Sequence, residues 1–169
     1  MGKYDILSES GALLPVIGEK GALLVTGTGK PNVMTIGWAM TSVMWGKSIF
    51  VAPVRKSRYS HELLEAHGEF TILVPSGDMK QTISICGSKS GRDTDKIGVC
   101  GLKLSPSSTV QVPHIDAPGL TLECRVLYKT DYIEEALSDA VREQWYSGRD
   151  AGNLHTLYFG EILKQYEQS

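Results

Sequence analysis

The stretch Leu120-Thr121-Leu122-Glu123-Cys124-Arg125-Val126-Leu127-Tyr128 constrains the fold more than any other. Its apolar residues recur at every second position, which puts Leu120, Leu122, Cys124, Val126 and Tyr128 on one face of a half-buried strand. The same pattern recurs along the chain. Ala22–Thr26 and Val33–Trp38 read as two strands joined by a hairpin turn at Gly27-Thr28-Gly29-Lys30-Pro31-Asn32. Ser48–Pro53 is a continuous apolar run, expected to be covered on both faces and ended by its proline. Phe70–Val74, stopped by Pro75, and Leu154–Tyr166 complete the strands. Three helices fit between them. The first is capped by Ser60 and closed by Gly68. The second is capped by Ser76 or Asp78, packs Met79, Ile83 and Cys86 inward, and ends at Gly87. The third runs from Glu134 to Trp145. Strands dominate and their connections are hairpin-like or carry one short helix. The expected fold is therefore mainly β with peripheral α-helices, an antiparallel barrel rather than a parallel sheet, in one domain over residues 1–169.

Several function classes are disfavoured by what the chain lacks. No GxGxxG follows the first strand, and Gly27-Thr28-Gly29-Lys30 lacks the spacing of a phosphate-binding P-loop. The 17 Lys and Arg against 19 Asp and Glu leave a net charge of −2, which calls for neither nucleic acid nor an anionic membrane. No apolar run approaches the ~20 residues of a membrane span, and the first residues lack a signal peptide's apolar core, so a cytoplasmic location is expected. Cys86, Cys100 and Cys124 form neither a disulfide framework nor a zinc pattern. No nucleophile has a recognisable base and orienting group, so no catalytic residue is assigned and no metal is expected.

Three segments can carry chemistry. Residues 32–47 hold two of the three tryptophans, Trp38 and Trp45, and three of the five methionines, with a strand leading into a Thr41-Ser42-Val43-Met44 turn. A flat apolar ring with hydrogen-bonding edges needs such a surface and such backbone donors. Plain core packing is the alternative. Arg55, Lys56, Arg58, Tyr59 and Ser60 precede a helix start, where free N–H groups and arginine forks favour phosphate; a solvated basic loop is the alternative. Ser88, Ser90, Gly91 and Lys96 lie in a loop that supplies further donors and close backbone approach. There, Asp93 and Asp95 instead cap the next helix and neutralise Arg92 and Lys96 if the loop is only a linker.

In this order the segments resemble the flavin reductase-like family, specifically its flavoredoxin-like branch. The matching stretches are NVMTIGW at 32–38, TSVMWGK at 41–47, RKSRYS at 55–60, CGSKSGRDTDK at 86–96, LECR at 122–125 and HTLYFGEI at 155–162. The resemblance implies a split β-barrel that binds FMN at a homodimer interface. It implies that Asn32 and Trp38 lie beside the flavin, and that Thr41, Ser42, Val43 and Met44 meet the ring's edge. Arg58 and Ser60, with Arg55 and Tyr59 nearby, would hold the phosphate. Ser88, Ser90, Gly91 and Lys96 would cover the phosphate and ribityl side, and His155 and Phe159 would approach from the last strand. The implied function is an oxidoreductase that passes electrons from NAD(P)H through FMN to flavin or a redox partner. The alternatives are a non-enzymatic FMN carrier that shuttles electrons between proteins, and a storage or sensing protein.

Overall fold

The computed structural model describes residues 4–169. Two helices that the strand pattern did not reveal, α1 (Asp5–Ala12) and α2 (Leu14–Lys20), come first. They are followed by β1 (Ala22–Thr26), β2 (Asn32–Ile36), β3 (Met40–Met44), β4 (Lys47–Arg55), α3 (Tyr59–His67), β5 (Glu69–Pro75), α4 (Lys80–Ser88) and α5 (Lys96–Val99). The two-residue strands β6 (Leu104–Ser105) and β7 (His114–Ile115) lead to β8 (Gly119–Asp131), α6 (Asp139–Trp145) and β9 (His155–Gln168). Seven strands form one sheet in the order β2-β1-β5-β8-β9-β4-β3, with every neighbouring pair antiparallel. β6 and β7 pair separately. No ladder joins β2 to β3, so the barrel is split rather than closed. Among the described residues no helix is long and apolar enough to cross a membrane.

The sheet wraps one core. Leu24 of β1, Ile36 of β2, Phe50 and Ala52 of β4, Phe70 and Ile72 of β5, Leu122 of β8 and Tyr158 of β9 are buried in a single cluster. Close packing there depends on Gly160 of β9. A Cβ at that position would lie 2.5 Å from the Phe70 ring and 3.1 Å from Cys124 Cβ, so glycine alone lets Phe70 lie against the strand. A second cluster on the other side of β1 joins Leu23, Val25, Val33, Leu73 and Cys86 to Val112 and Ile115.

Several local expectations need correction. Pro53 does not end β4, which continues to Arg55. The ladder to β3 stops at Met40–Val51, so beyond that point β4 is a free edge, where a missing N–H is tolerated. Residues 41–44 are not a turn but strand β3. The turn is Trp45-Gly46, with φ of 53° and 68°, two left-handed residues as a tight hairpin of type I′ requires. β2 stops at Ile36, short of Trp38. Ser60 lies inside α3 rather than capping it; Arg58 holds the cap position and makes no side-chain cap bond. α4 begins after Met79, so Ser76 and Asp78 are not its cap, although Asp78 accepts from the Lys80 N–H at 3.1 Å, and the helix runs one residue past Gly87. Alternation in β8 breaks at a bulge between Val126 and Tyr128, which leaves Tyr128 exposed. The expected helix over 134–145 is interrupted: a single 3-10 turn spans Glu134–Ala136, and α6 starts anew where Ser138 accepts from the Val141 N–H.

Glu123 fixes the loop that leads into β7. Its carboxylate is 1% exposed and accepts from the backbone N–H groups of Ser108 and Thr109, from both their hydroxyls, and from Tyr166. Burial alone raises its pKa, but the Thr109 and Ser108 hydrogen bonds outweigh burial and hold it below the ordinary value. Glu123→Gln is expected to cost on the order of 2 kcal/mol, read as a shift in urea midpoint at pH 7. Because the folded pKa is depressed, this contribution is complete above the unfolded value of about 4.5 and is lost as pH falls through the folded value. The wild-type midpoint therefore falls more steeply than the variant's below about pH 4.5; parallel curves would refute the assignment.

Candidate functional site

The seam where the split sheet fails to close holds two connected depressions. The first is a polar cleft lined by Asn32 and Met34 of β2, Arg58, Tyr59 and Ser60 at the start of α3, Cys86 and Gly87 of α4, and Ser90, Gly91 and Lys96. The second is a slot lined by Ile36, Gly37 and Trp38 after β2, by Pro53 and Arg55 of β4, and by Trp145 and His155. Met34, Thr35 and Arg58 line both, so the two form one groove. β2 and β4 approach here without pairing, five positions apart in the sheet order.

The cleft is built around a buried cation. Lys96 is 4% exposed, and its Nζ donates to the Cys86 carbonyl at 3.3 Å. No carboxylate of the described residues forms an ion pair with it. Burial lowers its pKa, the Arg58 charge adds to that, and Cys86 acts in the opposite sense. Cys86 gives no thiolate as counterion, since burial pushes its pKa up to about 12. An unpaired buried ammonium is costly, and a dianion in the cleft would supply the missing charge. Asp95 caps α5 through the Gly98 N–H at 3.1 Å, one of the two roles expected of it, and does not neutralise Lys96. Arg92 is paired with Glu62, not with Asp93, and lies 5.4 Å over the Tyr59 ring.

Arg58 projects into both parts of the groove and has no ion-pair partner among the described residues. Arg55 is committed elsewhere: it donates to the carbonyls of Trp145 at 3.0 Å and Asn153 at 3.2 Å, pairs with Asp150 at 3.5 Å, and lies over the Tyr146 ring. Buried Asn32 donates from Nδ2 to the equally buried Ser60 Oγ at 2.8 Å, tying β2 to the first turn of α3. Gly91 is required beside this bond, because a Cβ there would lie 2.0 Å from Asn32 Oδ1 and 3.0 Å from the Tyr59 ring. The close approach that its sequence context suggested is made to Asn32.

In the slot, the Trp38 ring lies 4.9 Å from His155 at 42° and 4.9 Å from Trp145 at 89°. His155 is 7% exposed and its Nδ1 lies 2.7 Å from the Tyr146 hydroxyl. Burial, then the charges of Arg55 and Arg58, bring its pKa down to about 4, so the ring is neutral at pH 7.

The structure therefore brings Asn32, Trp38, Arg58, Tyr59, Ser60, Ser90, Gly91, Lys96 and His155 together, with Arg55 at the rim. It does not bring in Ser88, which is exposed and donates to the Ser84 carbonyl within α4. Thr41, Ser42, Val43 and Met44 line neither depression, since they form the sheet edge. Phe159 packs instead with Tyr128 and Trp45 on the outer sheet face. Trp145 and Tyr146 were missed. Nothing in a helix-like stretch such as 134–145 signals that its end folds onto a tryptophan a hundred residues earlier.

Known proteins resemble this chain in sequence and fold. An uncharacterised protein of Archaeoglobus fulgidus is 31% identical over 141 residues, covering 83% of this chain and 68% of that protein. An uncharacterised protein of Pyrococcus abyssi is 33% identical over 116 residues, covering 68% of this chain and 66% of that one. The chain thus spans about two thirds of the length of each. Among solved structures, flavoredoxin from Methanosarcina acetivorans has a TM-score of 0.69 at 24% identity, over 89% of this chain and 69% of that one. Flavoredoxin of Desulfovibrio vulgaris has a TM-score of 0.68 at 20% identity, over 88% and 69%. At such identities the likeness speaks to the fold. The model of the flavin reductase like domain matches residues 19–169, and the chain belongs to that family.

Proposed function

We propose that this chain is an FMN-binding oxidoreductase that passes electrons from NAD(P)H to flavin or to a redox partner. The observation that carries this reading is the buried, unpaired Lys96 ammonium at the end of a groove whose other end is an aromatic slot. A dianionic tail and a flat apolar head on one molecule fit those two ends, and FMN has both. Among fold neighbours, a protein from Thermus thermophilus is described as FMN-binding, as is one from Shewanella baltica.

Bound flavin supplies the hydride chemistry. The chain's residues bind and orient. Lys96, Arg58 and the first turn of α3 hold the phosphate, and that end of the nine-residue helix adds its own N–H groups and dipole. Asn32 and Ser60, already bonded to each other, set the wall between phosphate and ring. Trp38 and Pro53 exclude water from the ring slot. His155 adds no charge there at pH 7. When Tyr146 donates to Nδ1, the proton sits on Nε2 and makes that nitrogen a donor.

The outer sheet face supports a homodimer. Met40, Val51, Phe159 and Tyr128 are in register across β3, β4, β9 and β8. Met40, Trp45, Leu127 and Tyr128 are exposed on or beside this row. A contiguous apolar face of this kind is a place for a partner. In a dimer formed through it, the edge strand bearing Thr41–Met44 would be available to the neighbouring subunit's groove.

Three measurements test the reading. The purified protein mixed with FMN should keep a flavin absorbance band through gel filtration and bleach anaerobically with NADH or NADPH. Retention without bleaching would turn the assignment toward an electron carrier, and no retention would sink it. Arg58→Ala and Lys96→Met should each weaken FMN binding by roughly tenfold or more, as loss of a charge-assisted phosphate contact implies. Unchanged affinity would refute the phosphate assignment. Trp45→Asp should convert a dimer to monomer by sedimentation, and an unchanged dimer would place the interface elsewhere.

A further inference from the structure

α6 contributes no buried residue to the body of the protein. What holds it is a small set of attachments at its C-terminal end. Arg55 grips the Trp145 carbonyl and, eight residues on, the Asn153 carbonyl. Buried Tyr146 reaches His155, and the Trp145 indole stands edge-on to Trp38. Val141 and Ile133 are exposed. An element with so little buried area opens at low free-energy cost. The place it covers is the ring slot, where Trp145 is 42% exposed and forms one wall.

We propose that α6 is an aromatic flap, and that its Trp145 competes with the nicotinamide of the donor for the open side of the slot. The inference rests on the flavin reading above. A ring bound against Trp38 and His155 leaves one side open, and Trp145 already stands there. A second planar ring has to displace that indole. A second flat ring stacked in the slot offsets the edge-on contact that Trp145 gives up, so a nicotinamide can make the exchange. A molecule that lacks a flat ring gains nothing that replaces Trp145 and stays out. Trp145 is thus a specificity-determining residue, and the attachments made by Arg55 set how readily the flap opens.

Hydrogen exchange on the apoprotein tests the flap without any flavin. Amides of Asp139–Trp145 should exchange roughly a hundredfold faster than those of β9 paired with β4. Equal protection of α6 and β9 would overturn the proposal. On the FMN-loaded protein, Trp145→Ala should lower the KM for NADH or NADPH by about fivefold, the scale of one aromatic contact, while FMN affinity changes by less than about threefold. Trp145→Phe, which keeps a flat ring in place, should restore the wild-type KM. An unchanged KM in Trp145→Ala, or a loss of FMN in its place, would equally overturn it. Failure of the wild-type chain to take up FMN would instead refute the flavin reading, and the exchange result would still decide whether α6 opens.

Discussion

The contact of the Phe70 ring with the bare backbone of Gly160 is the constraint from which the architecture follows. β8 and β9 are the longest strands, and their pairing from Gly119–Gln168 to Asp131–Thr156 forms the spine of the sheet. A side chain at residue 160 would hold that spine away from β5. With glycine there, Phe70 and Phe50 bury their rings in one core, 6.4 Å apart, and the strands to either side curl around it. The curl brings β2 and the free end of β4 close enough to share a groove yet leaves them unpaired. That unclosed seam is the candidate site.

A seam places different chemistry at its two ends for a simple reason. At the α3 end, backbone N–H groups of a helix start and a charged loop converge, and polar groups there satisfy one another or await an anion. The Asn32–Ser60 bond is the satisfied kind, and the Lys96 ammonium is the other. At the β4 end there is no helix start, only strand edges and the segment before β9, so the walls are Pro53, Trp38, Trp145 and His155. His155 is compatible with this environment because burial and two neighbouring guanidinium groups keep it neutral.

The strands were legible because their signal is local. Period-two alternation and turn residues set β1, β5, β9 and most of β8 to within a few residues. What was illegible depended on partners far away in sequence. Pro53 reads as a terminator until one sees that β3 has already ended beside it. The bulge at Leu127 leaves only a faint mark, one apolar residue in the otherwise polar phase of Thr121, Glu123 and Arg125. The break at Ser138 does carry a local signal, a serine with the helix restarting behind it, and it was overlooked in favour of a longer helix. Much of the groove's lining was suggested by motifs, since the residues of segments 32–38, 55–60 and 86–96 do converge. The inward burial of Lys96 was not, because a lysine beside two aspartates in sequence looks neutralised. The sequence already offered Asp95 as the cap of its own helix; only the fold shows that this leaves Lys96 without a carboxylate.

That diversion of Asp95 explains why a buried lysine is kept at all. An ammonium with a fixed carboxylate partner would be stable in the empty cleft and would gain little from a ligand. Left with one long bond to the Cys86 carbonyl, and beside a thiol that burial keeps protonated, Lys96 is under-compensated until an anion arrives. That under-compensation makes anion binding a relief of an existing cost, not merely a new contact. The aromatic end works by the opposite logic. Trp38, His155 and Trp145 already satisfy one another, so a ring that takes the place of Trp145 must exchange for contacts the protein has made. On the reading proposed above, the tail then supplies affinity, and the exchange at Trp145 supplies selectivity, within one continuous groove.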